Sequence, residues 1–403
     1  MNILMIGMSN SLCKEMINYE EQHKIFIIEE PEVLKEKSSE KVGNVKKIYK
    51  GLYHQSDGFM KIVKEISINN KFDVVIPAVE YAVKASNKAA EYLDLPKLGN
   101  IGAEIFTDKV KFRDFCNKHE VPQPMFLRIK TLKDLQQFFV GKPIIFKPSN
   151  RQGSLGVNKI QGIQQISEAY RKTTSVNNGI ESEDRSSYIA EEYVDGKEYS
   201  VEMLVQAGKV KFVNFTKKDK FNNGFFVESG HSIPACLNQV TQEKINKYMN
   251  KIIKYAKVES SILHAEWIIN GNNVWIIECA ARRPGDQIPE LLSLAYNFSF
   301  METYLNILQG IETKVNWHPS SFSAIRYFKA KEGKLECIDG INTLNDPNSG
   351  VINWKFNKEP GEYISEISSS WERVGYYIIA AKSKEELETK VEKIESNVVF
   401  NVK

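Results

Sequence analysis

Apolar residues near the N-terminus come in short runs. Asn2 to Ile6 is the first and ends at Gly7. Lys24 to Glu29 is the second and closes on acidic residues, and Phe72 to Pro77 is the third. Phe59 to Ile68 and Tyr81 to Leu93 instead space their apolar positions as amphipathic helices do. Strand and helix patterns alternating in this way predict a parallel sheet covered by helices. The turn after the first run, Gly7-Met8-Ser9-Asn10-Ser11, lacks G-x-G-x-x-G, so no dinucleotide site is expected there.

The texture changes near residue 100. Thr107-Asp108 is a helix N-cap signal, and the helix should run to His119 before Val121-Pro122-Gln123-Pro124 breaks it. A strand (Met125 to Ile129), a helix (Leu132 to Val140) and a very apolar strand (Pro143 to Lys147) are predicted next. Further strands fit Tyr188 to Val194, Glu198 to Gln206 and Val210 to Thr216, with Gly208 turning the last two. A helix fits Gln242 to Lys257. A hairpin fits Ala265 to Ile269 and Val274 to Cys279, because Asn270-Gly271-Asn272-Asn273 is strong turn chemistry. After about residue 315 come strands at Ser321 to Ala330 and Tyr376 to Ala380, and a charged helix at Lys384 to Ile394. Thr173 to Ser187 is polar and aperiodic, so it reads as disordered.

Composition narrows the class. A chain of 403 residues, 42% hydrophobic and 26% charged, is an ordinary soluble globular chain with room for two to four units. Lys and Arg (54) nearly balance Asp and Glu (51), and the net +3 gives no reason to expect a polyanion partner. No basic motif interleaves with aromatics, so nucleic-acid binding is not expected. The Lys-rich stretch Lys35 to Lys50 reads as solvated surface. Cys13, Cys116, Cys236, Cys279 and Cys337 are scattered and odd in number. They suggest neither a disulfide framework nor a zinc knuckle, and fit a reducing cytosol. The N-terminus lacks the basic and long apolar regions of a signal peptide, and no apolar run reaches the ~18 residues a membrane span needs. A cytoplasmic protein without membrane contact is expected.

Four segments carry candidate chemistry. In Phe146-Lys147-Pro148-Ser149-Asn150-Arg151-Gln152-Gly153-Ser154-Leu155-Gly156-Val157 a strand delivers a Lys into a Gly- and Ser-containing loop. Small residues let backbone N–H groups approach phosphate, and the Lys adds a point charge. Taken alone, this is equally a glycine-rich hairpin with a surface Lys. Glu191-Glu192-Tyr193-Val194-Asp195-Gly196-Lys197-Glu198 reads as two strands meeting at a Gly turn, either an ordinary hairpin or an extended hinge. As a hinge it would offer backbone groups to an adenine edge and a carboxylate to ribose hydroxyls. Glu266 and Glu278 sit on the two arms of the predicted hairpin at comparable distances from its turn. Each lies inside an apolar strand, where an uncompensated carboxylate is costly, so a shared Mg²⁺ is the better explanation. Arg282-Arg283-Pro284-Gly285-Asp286 follows at once; Arg282 could clamp a phosphoryl or acyl-phosphate oxygen, or be merely exposed.

In this order and spacing the segments resemble the ATP-grasp superfamily, over about the whole chain, with the specific motifs between Lys109 and Asp286. The resemblance implies an α/β protein (α+β in its ATP-grasp part). Residues 1–100 would form a Rossmann-like pre-ATP-grasp domain. Residues 101–314 would form a two-lobed ATP-grasp domain, with a small lobe at about 120–195 and a large lobe at about 196–314. Residues 315–403 would form a small C-terminal αβ unit. It further implies that Lys109 and Lys147 face the nucleotide phosphates and that Ser149, Gly153, Ser154 and Gly156 belong to a loop covering them. Glu191, Glu192, Tyr193 and Val194 would hold adenine, chiefly through backbone, and Glu198 the ribose. Glu266 and Glu278 would bind Mg²⁺, with Mn²⁺ as a substitute. The family has Asn two residues after the second Glu; here Ala280 stands there, which leaves the number of metal ions open.

Within the superfamily, Phe226-Val227-Glu228-Ser229-Gly230-His231-Ser232-Ile233-Pro234 is similar to a stretch lining the amino-acid pocket of L-amino-acid ligases. The Arg282 to Asp286 pattern is similar to the segment whose Arg steadies the acyl phosphate. These likenesses imply catalytic roles for Lys147 and Arg282. They imply substrate contacts from Glu228, Gly230, His231, Arg282, Gly285 and Asp286, and dipeptide formation from two amino acids and ATP. Overall similarity points to aspartate and methionine as the pair, and allows a homodimer. A ligase or carboxylase of nucleotide metabolism and a non-catalytic ATP-binding module share the layout and stand as alternatives.

Overall fold

The structure is a computed structural model that describes residues 1–17, 23–36, 44–54, 56–151, 155–175 and 187–403. The first apolar runs become β1 (Asn2–Ile6), β2 (Lys24–Glu29), β3 (Val45–Lys50) and β4 (Val74–Pro77). Between and after them lie α1 (Asn10–Ile17), α2 (Pro31–Glu36), α3 (Phe59–Ser67) and α4 (Val83–Tyr92). The four strands pair in parallel in the order β3-β2-β1-β4. On α3, Phe59, Val63 and Ile66 recur at helical spacing and are all buried. The strand β3 was hidden in the Lys-rich stretch read as solvated surface. It is an edge strand whose Lys46, Lys47 and Lys50 stay exposed while Ile48 pairs beside Ile27.

Next come α5 (Asn100–Ile105) and α6 (Lys109–Lys118). Asp108 caps α6, its carboxylate accepting from the N–H groups of Val110 (2.8 Å) and Lys111 (3.2 Å). A four-stranded antiparallel sheet then forms from β5 (Phe126–Ile129), β6 (Ile144–Pro148), β7 (Asn158–Ile160) and β8 (Tyr188–Glu192), in the order β5-β8-β6-β7. The helices α7 (Leu132–Phe138) and α8 (Ile166–Thr174) cover it, and Leu135, Phe146, Ile160 and Ile166 form its core. The expectation of disorder at Thr173 to Ser187 falls mostly on residues 176–186, outside the described residues; Thr173 and Thr174 belong to α8.

The rest builds on one eight-stranded sheet. Its first members are β9 (Lys197–Gln206), β10 (Lys209–Lys220), β11 (Glu228–Ile233), β12 (Ser261–Asn270) and β13 (Asn273–Ala280). They are accompanied by α9 (Gln239–Tyr255), α10 (Ile288–Tyr296) and α11 (Phe300–Leu308). The chain continues through β14 (Phe322–Tyr327), β15 (Gly333–Asp339), α12 (Ile341–Asn345), β16 (Val351–Phe356), β17 (Tyr363–Ile364), β18 (Gly375–Ala381), α13 (Lys384–Asn397) and β19 (Val399–Val402). The sheet order is β13-β12-β9-β10-β11-β14-β18-β16, so it runs without interruption past residues 314 and 315. A separate small sheet, β17-β15-β19, lies in the C-terminal part. One apolar core joins Ile3 and Met5 of β1 to Leu291 of α10, Leu305 of α11 and Ile325 of β14.

Two local readings need correction. The strand expected to stop at Thr216 continues to Lys220, since the carboxylates of neighbouring strands compensate the lysines at its end. Of the two readings left open for Glu191 to Glu198 the hairpin fails: β8 belongs to the β5-β8-β6-β7 sheet and β9 to the eight-stranded one. Gly196 lies on this crossing, where a Cβ would sit 2.6 Å from the carbonyl oxygen of Ile269.

Candidate active site

A cavity of about 740 Å³ lies between the β5-β8-β6-β7 sheet and the eight-stranded sheet, lined by Ile145 and Lys147 from β6 and by Glu198, Lys218, Glu266 and Glu278 from β9, β10, β12 and β13. The strand period of two explains the supply of polar groups. On β10, Thr216 and Lys218 are buried and Lys217 is exposed. On the hairpin, the register sets Glu266 directly opposite Glu278.

The first cation is Lys109 at the start of α6. Its Nζ donates to the carbonyl of Arg151 (2.8 Å) and to Glu278 Oε1 (3.2 Å). Burial disfavours its charge, but Glu278 and Glu80 outweigh that and hold its pKa up. The second, Lys147, donates to Glu191 Oε2 at 2.7 Å. Burial lowers its pKa; Glu191 offsets only part, while Arg113 and Lys109 push further down. Glu191 is held on its other oxygen by Arg113 Nε at 2.9 Å. Burial would raise its pKa, but Arg113 and Lys147 bring it down to about 2.

The third cation, Lys218, was missed in the sequence. It is buried among Glu198 (2.7 Å), Glu266 (2.6 Å) and Glu228 (3.4 Å). Burial opposes its charge, yet these three carboxylates carry its pKa well up. Glu198 also pairs with Lys220. His264 bridges Glu202 (3.0 Å) and Glu266 (3.7 Å). Burial opposes its protonation, and the two carboxylates nonetheless raise it to about 9. Period-two counting along Thr216, Lys218 and Lys220 was the available signal for the lysines; His264 likewise sits two positions before Glu266 on its strand.

The donor chemistry fits a hard cation. Glu266 and Glu278 both line the cavity and face each other across the hairpin, and carboxylate oxygens are the ligands Mg²⁺ takes. Among the described residues, the carboxylates of Glu198, Glu228 and Glu266 come within 4.8 Å of one another, a group that leaves out Glu278. Ala280 lines the same wall without a ligand atom.

At the far end Asp286 accepts from His231 Nε2 (2.9 Å) and from Arg373 (2.8 Å), and Arg373 also reaches Glu228 (2.7 Å). Burial works against the Asp286 carboxylate, but His231 and Arg373 hold it far below the usual range. Arg373 comes from the C-terminal part and stacks over the Tyr327 ring, 3.8 Å from its centroid. Neither Arg373 nor Tyr327 was singled out in the sequence, because nothing local connects residue 373 to Asp286. Arg282 is no free surface arginine: its Nε meets Glu80 Oε2 at 2.6 Å, and Arg283 meets Glu15 at 2.7 Å. Both acids belong to the N-terminal αβ unit.

The remaining sequence-derived residues divide. Glu192, Tyr193, Val194 and Gly285 line the cavity. The N–H groups of Glu192 and Tyr193 are already donated to the carbonyls of Met125 (2.8 Å) and Pro143 (3.0 Å), which limits what the hinge backbone can offer. Gly230 does not line the cavity. A Cβ there would lie 2.6 Å from the Ile325 carbonyl oxygen, so the glycine serves the close approach of β11 to β14. Ser149 is buried behind the cavity wall, its N–H donating to Ser187 and its carbonyl accepting from the Lys109 N–H. The Gly156 carbonyl accepts from Asn158 and Thr173, with Leu155 and Val157 lining the cavity on either side. Gly153 and Ser154 lie outside the described residues.

Comparison with known proteins agrees with this architecture. Residues 140–290 match the ATP-grasp domain, and residues 326–403 match the L-amino acid ligase C-terminal domain 2. The L-arginine-specific L-amino acid ligase of Bacillus subtilis is 21% identical over 314 residues, 77% of this chain and 75% of that protein. The crystal structure of an L-amino acid ligase from Bacillus licheniformis matches with a TM-score of 0.82 at 21% identity, covering 100% of this chain and 98% of that one. A phosphoribosylglycinamide synthetase from Anaerococcus prevotii matches with a TM-score of 0.71 at 17% identity, covering 100% and 99%. At these identities the two structural likenesses show a shared fold. No helix among the described residues is long and apolar enough to cross a membrane.

Proposed function

We propose, from the premise that this chain is an ATP-grasp ligase of the L-amino-acid-ligase kind and forms C–N bonds, that it couples two amino acids at the expense of ATP. The observation carrying this reading is that one cavity brings Lys109, Lys147 and Lys218 together with Glu266, Glu278 and the Arg282-to-Asp286 turn. Phosphate-binding cations, metal-ligating oxygens and a polar far end are what the two half-reactions need in one enclosure.

In the first half-reaction a carboxylate oxygen of one amino acid bonds to the γ-phosphorus of ATP. The bond from that phosphorus to the β,γ-bridging oxygen breaks, and ADP leaves with the electron pair. In the second, the amine nitrogen of the other amino acid bonds to the acyl carbon, loses a proton, and phosphate departs. Lys147 offsets charge on the transferring phosphoryl group, and Arg282, steadied by Glu80, faces the acyl phosphate. Mg²⁺, or Mn²⁺ in its place, would be held by Glu266 and Glu278 and would supply further charge neutralisation at the phosphates. Adenine would meet Val194 and neighbouring carbonyls, and Glu198 the ribose. Glu228, His231, Gly285 and Asp286 would shape the amino-acid end. Leu155 and Val157, which line the cavity, would help exclude the water that competes for the acyl phosphate. Aspartate and methionine are the first pair to try, in a cytoplasmic setting.

ADP release measured with pooled amino acids, and dipeptide detected by mass, tests the reading. Amino-acid-dependent ADP release with a new dipeptide mass is expected. ADP release indifferent to every amino acid and carboxylate would overturn it. The fold shared with a phosphoribosylglycinamide synthetase supports a second reading in nucleotide metabolism. ADP release that requires a phosphoribosyl amine or aminoimidazole ribotide, and that no amino acid supports without one, would select it.

A further inference from the structure

Arg113 lies one helical turn after Lys109 on α6, on the same face, and is fully buried. It does not line the cavity. Its guanidinium is shared among three acceptors: Nε donates to Glu191 Oε1 at 2.9 Å, one terminal nitrogen to the Ile276 carbonyl at 3.1 Å, and the other to the Ile277 carbonyl at 2.7 Å. Ile277 directly precedes Glu278. On the opposite oxygen of the same Glu191 carboxylate sits Lys147, at 2.7 Å. The side chains of Arg113, Glu191 and Lys147 are 0%, 3% and 7% exposed, so water screens none of these charges well.

The group holds two cations and one anion. Without Arg113, Lys147 and Glu191 would be a closed neutral pair, and an incoming phosphate would have to compete with Glu191 for the ammonium. With Arg113 on the other oxygen the carboxylate is already compensated. One positive charge is then left over, and of the two cations only Lys147 borders the cavity. Burying an uncompensated charge is costly, and a phosphate is the anion that would relieve it. The lowered pKa of Lys147, with Arg113 among its causes, agrees with a lysine short of negative charge.

We propose that Arg113 is a positioning residue that neutralises Glu191, so that Lys147 presents an uncompensated charge to the nucleotide phosphates. The same guanidinium anchors the strand carrying Glu278, which ties the phosphate lysine and the metal-ligand strand to one point on α6. The inference rests on the proposed use of ATP, and the experiment separates the two.

MgADP binding by titration calorimetry, with a melting temperature for every variant, is the test. Wild-type protein is measured first; failure to bind MgADP would count against nucleotide use itself. Given wild-type binding, Arg113→Met should weaken it about tenfold or more, as a charge-assisted phosphate contact is lost to Glu191. Arg113→Lys, which keeps the charge and gives up the carbonyl bonds, should stay closer to wild type. The double variant Arg113→Met/Glu191→Gln should bind more tightly than Arg113→Met, because the competing carboxylate is gone. A purely structural arginine would make the double variant no better than the single. That result, or wild-type affinity in folded Arg113→Met, overturns the proposal. If Arg113→Met does not fold, Glu191→Gln decides alone: affinity at least equal to wild type supports the proposal, and weaker affinity overturns it.

Discussion

Glu191 shows how much a single side chain can decide in a volume closed to water. Its carboxyl, brought down to about 2 by Arg113 and Lys147 against the effect of burial, stays ionised through the physiological range. A carboxylate whose folded-state pKa is depressed contributes stability above its unfolded value, and loses it as pH falls through the folded one. The window is therefore from about 4.5 down to about 2. A shift of this size corresponds to something on the order of 3 kcal/mol. Urea unfolding between pH 5 and pH 2 should show a steeper loss in wild type than in Glu191→Gln. The variant should also be less stable at pH 7, having two buried cations without their anion. Equal pH slopes would remove the ion pair from the stability account. At the metal position, Glu278→Ala should abolish ADP release; turnover at the wild-type rate in that variant would sink the assignment of Glu278 to Mg²⁺. Lys147, Glu266 and Glu278 were visible in the sequence because each stands out against an apolar strand. Arg113 was not, since its partner Glu191 is 78 residues away.

Elements were legible where short-range chemistry makes them. The turn Asn270-Gly271-Asn272-Asn273 fixes the β12–β13 hairpin, and with it the facing of Glu266 and Glu278. The Asp108 cap sets where α6 begins, and so where Lys109 and Arg113 point. Asp108→Ala should cost about 0.5–2 kcal/mol in thermal unfolding and raise KM for ATP several-fold, while Asp108→Asn should retain most of both. An unchanged KM in the alanine variant would show that Lys109 does not depend on the cap. Elements were misread where charge overrides local pattern. The strand β3 lay hidden under lysines at a sheet edge, and β10 runs on through Lys217 to Lys220 because β9, β11 and β12 bring carboxylates beside Lys218. The Glu191 to Glu198 segment stayed open between hairpin and hinge because no local feature says that its two strands enter different sheets.

At the scale of the molecule, three stretches of chain that read as separate units meet at one cavity. Glu80 and Glu15 of the N-terminal part hold Arg282 and Arg283, and Arg373 of the C-terminal part holds Asp286 and Glu228. The eight-stranded sheet itself passes from β11 to β14, so the C-terminal strands continue the sheet that carries the site. Arg373→Met should leave two half-buried carboxylates short of one cation, with Lys218 still beside Glu228 and His231 still on Asp286. A loss of about 1–3 kcal/mol in unfolding free energy is expected, together with a higher KM for an amino-acid substrate. A variant with wild-type stability would show that His231 and Lys218 compensate the two acids unaided.

The sequence by itself determined those strands, helices, caps and turns that follow from alternation, helical spacing and residues a few positions apart, and not β3 or the end of β10. It also placed the lysines and carboxylates of the motif segments on predicted strands and loops. Only the tertiary structure decided which charge answers which: Lys218 with three glutamates, Arg113 with Glu191, Arg282 with Glu80, Arg373 with Asp286. Ion pairing depends on distance in space and on exclusion of water, and neither can be read from separations of tens to hundreds of residues along the chain.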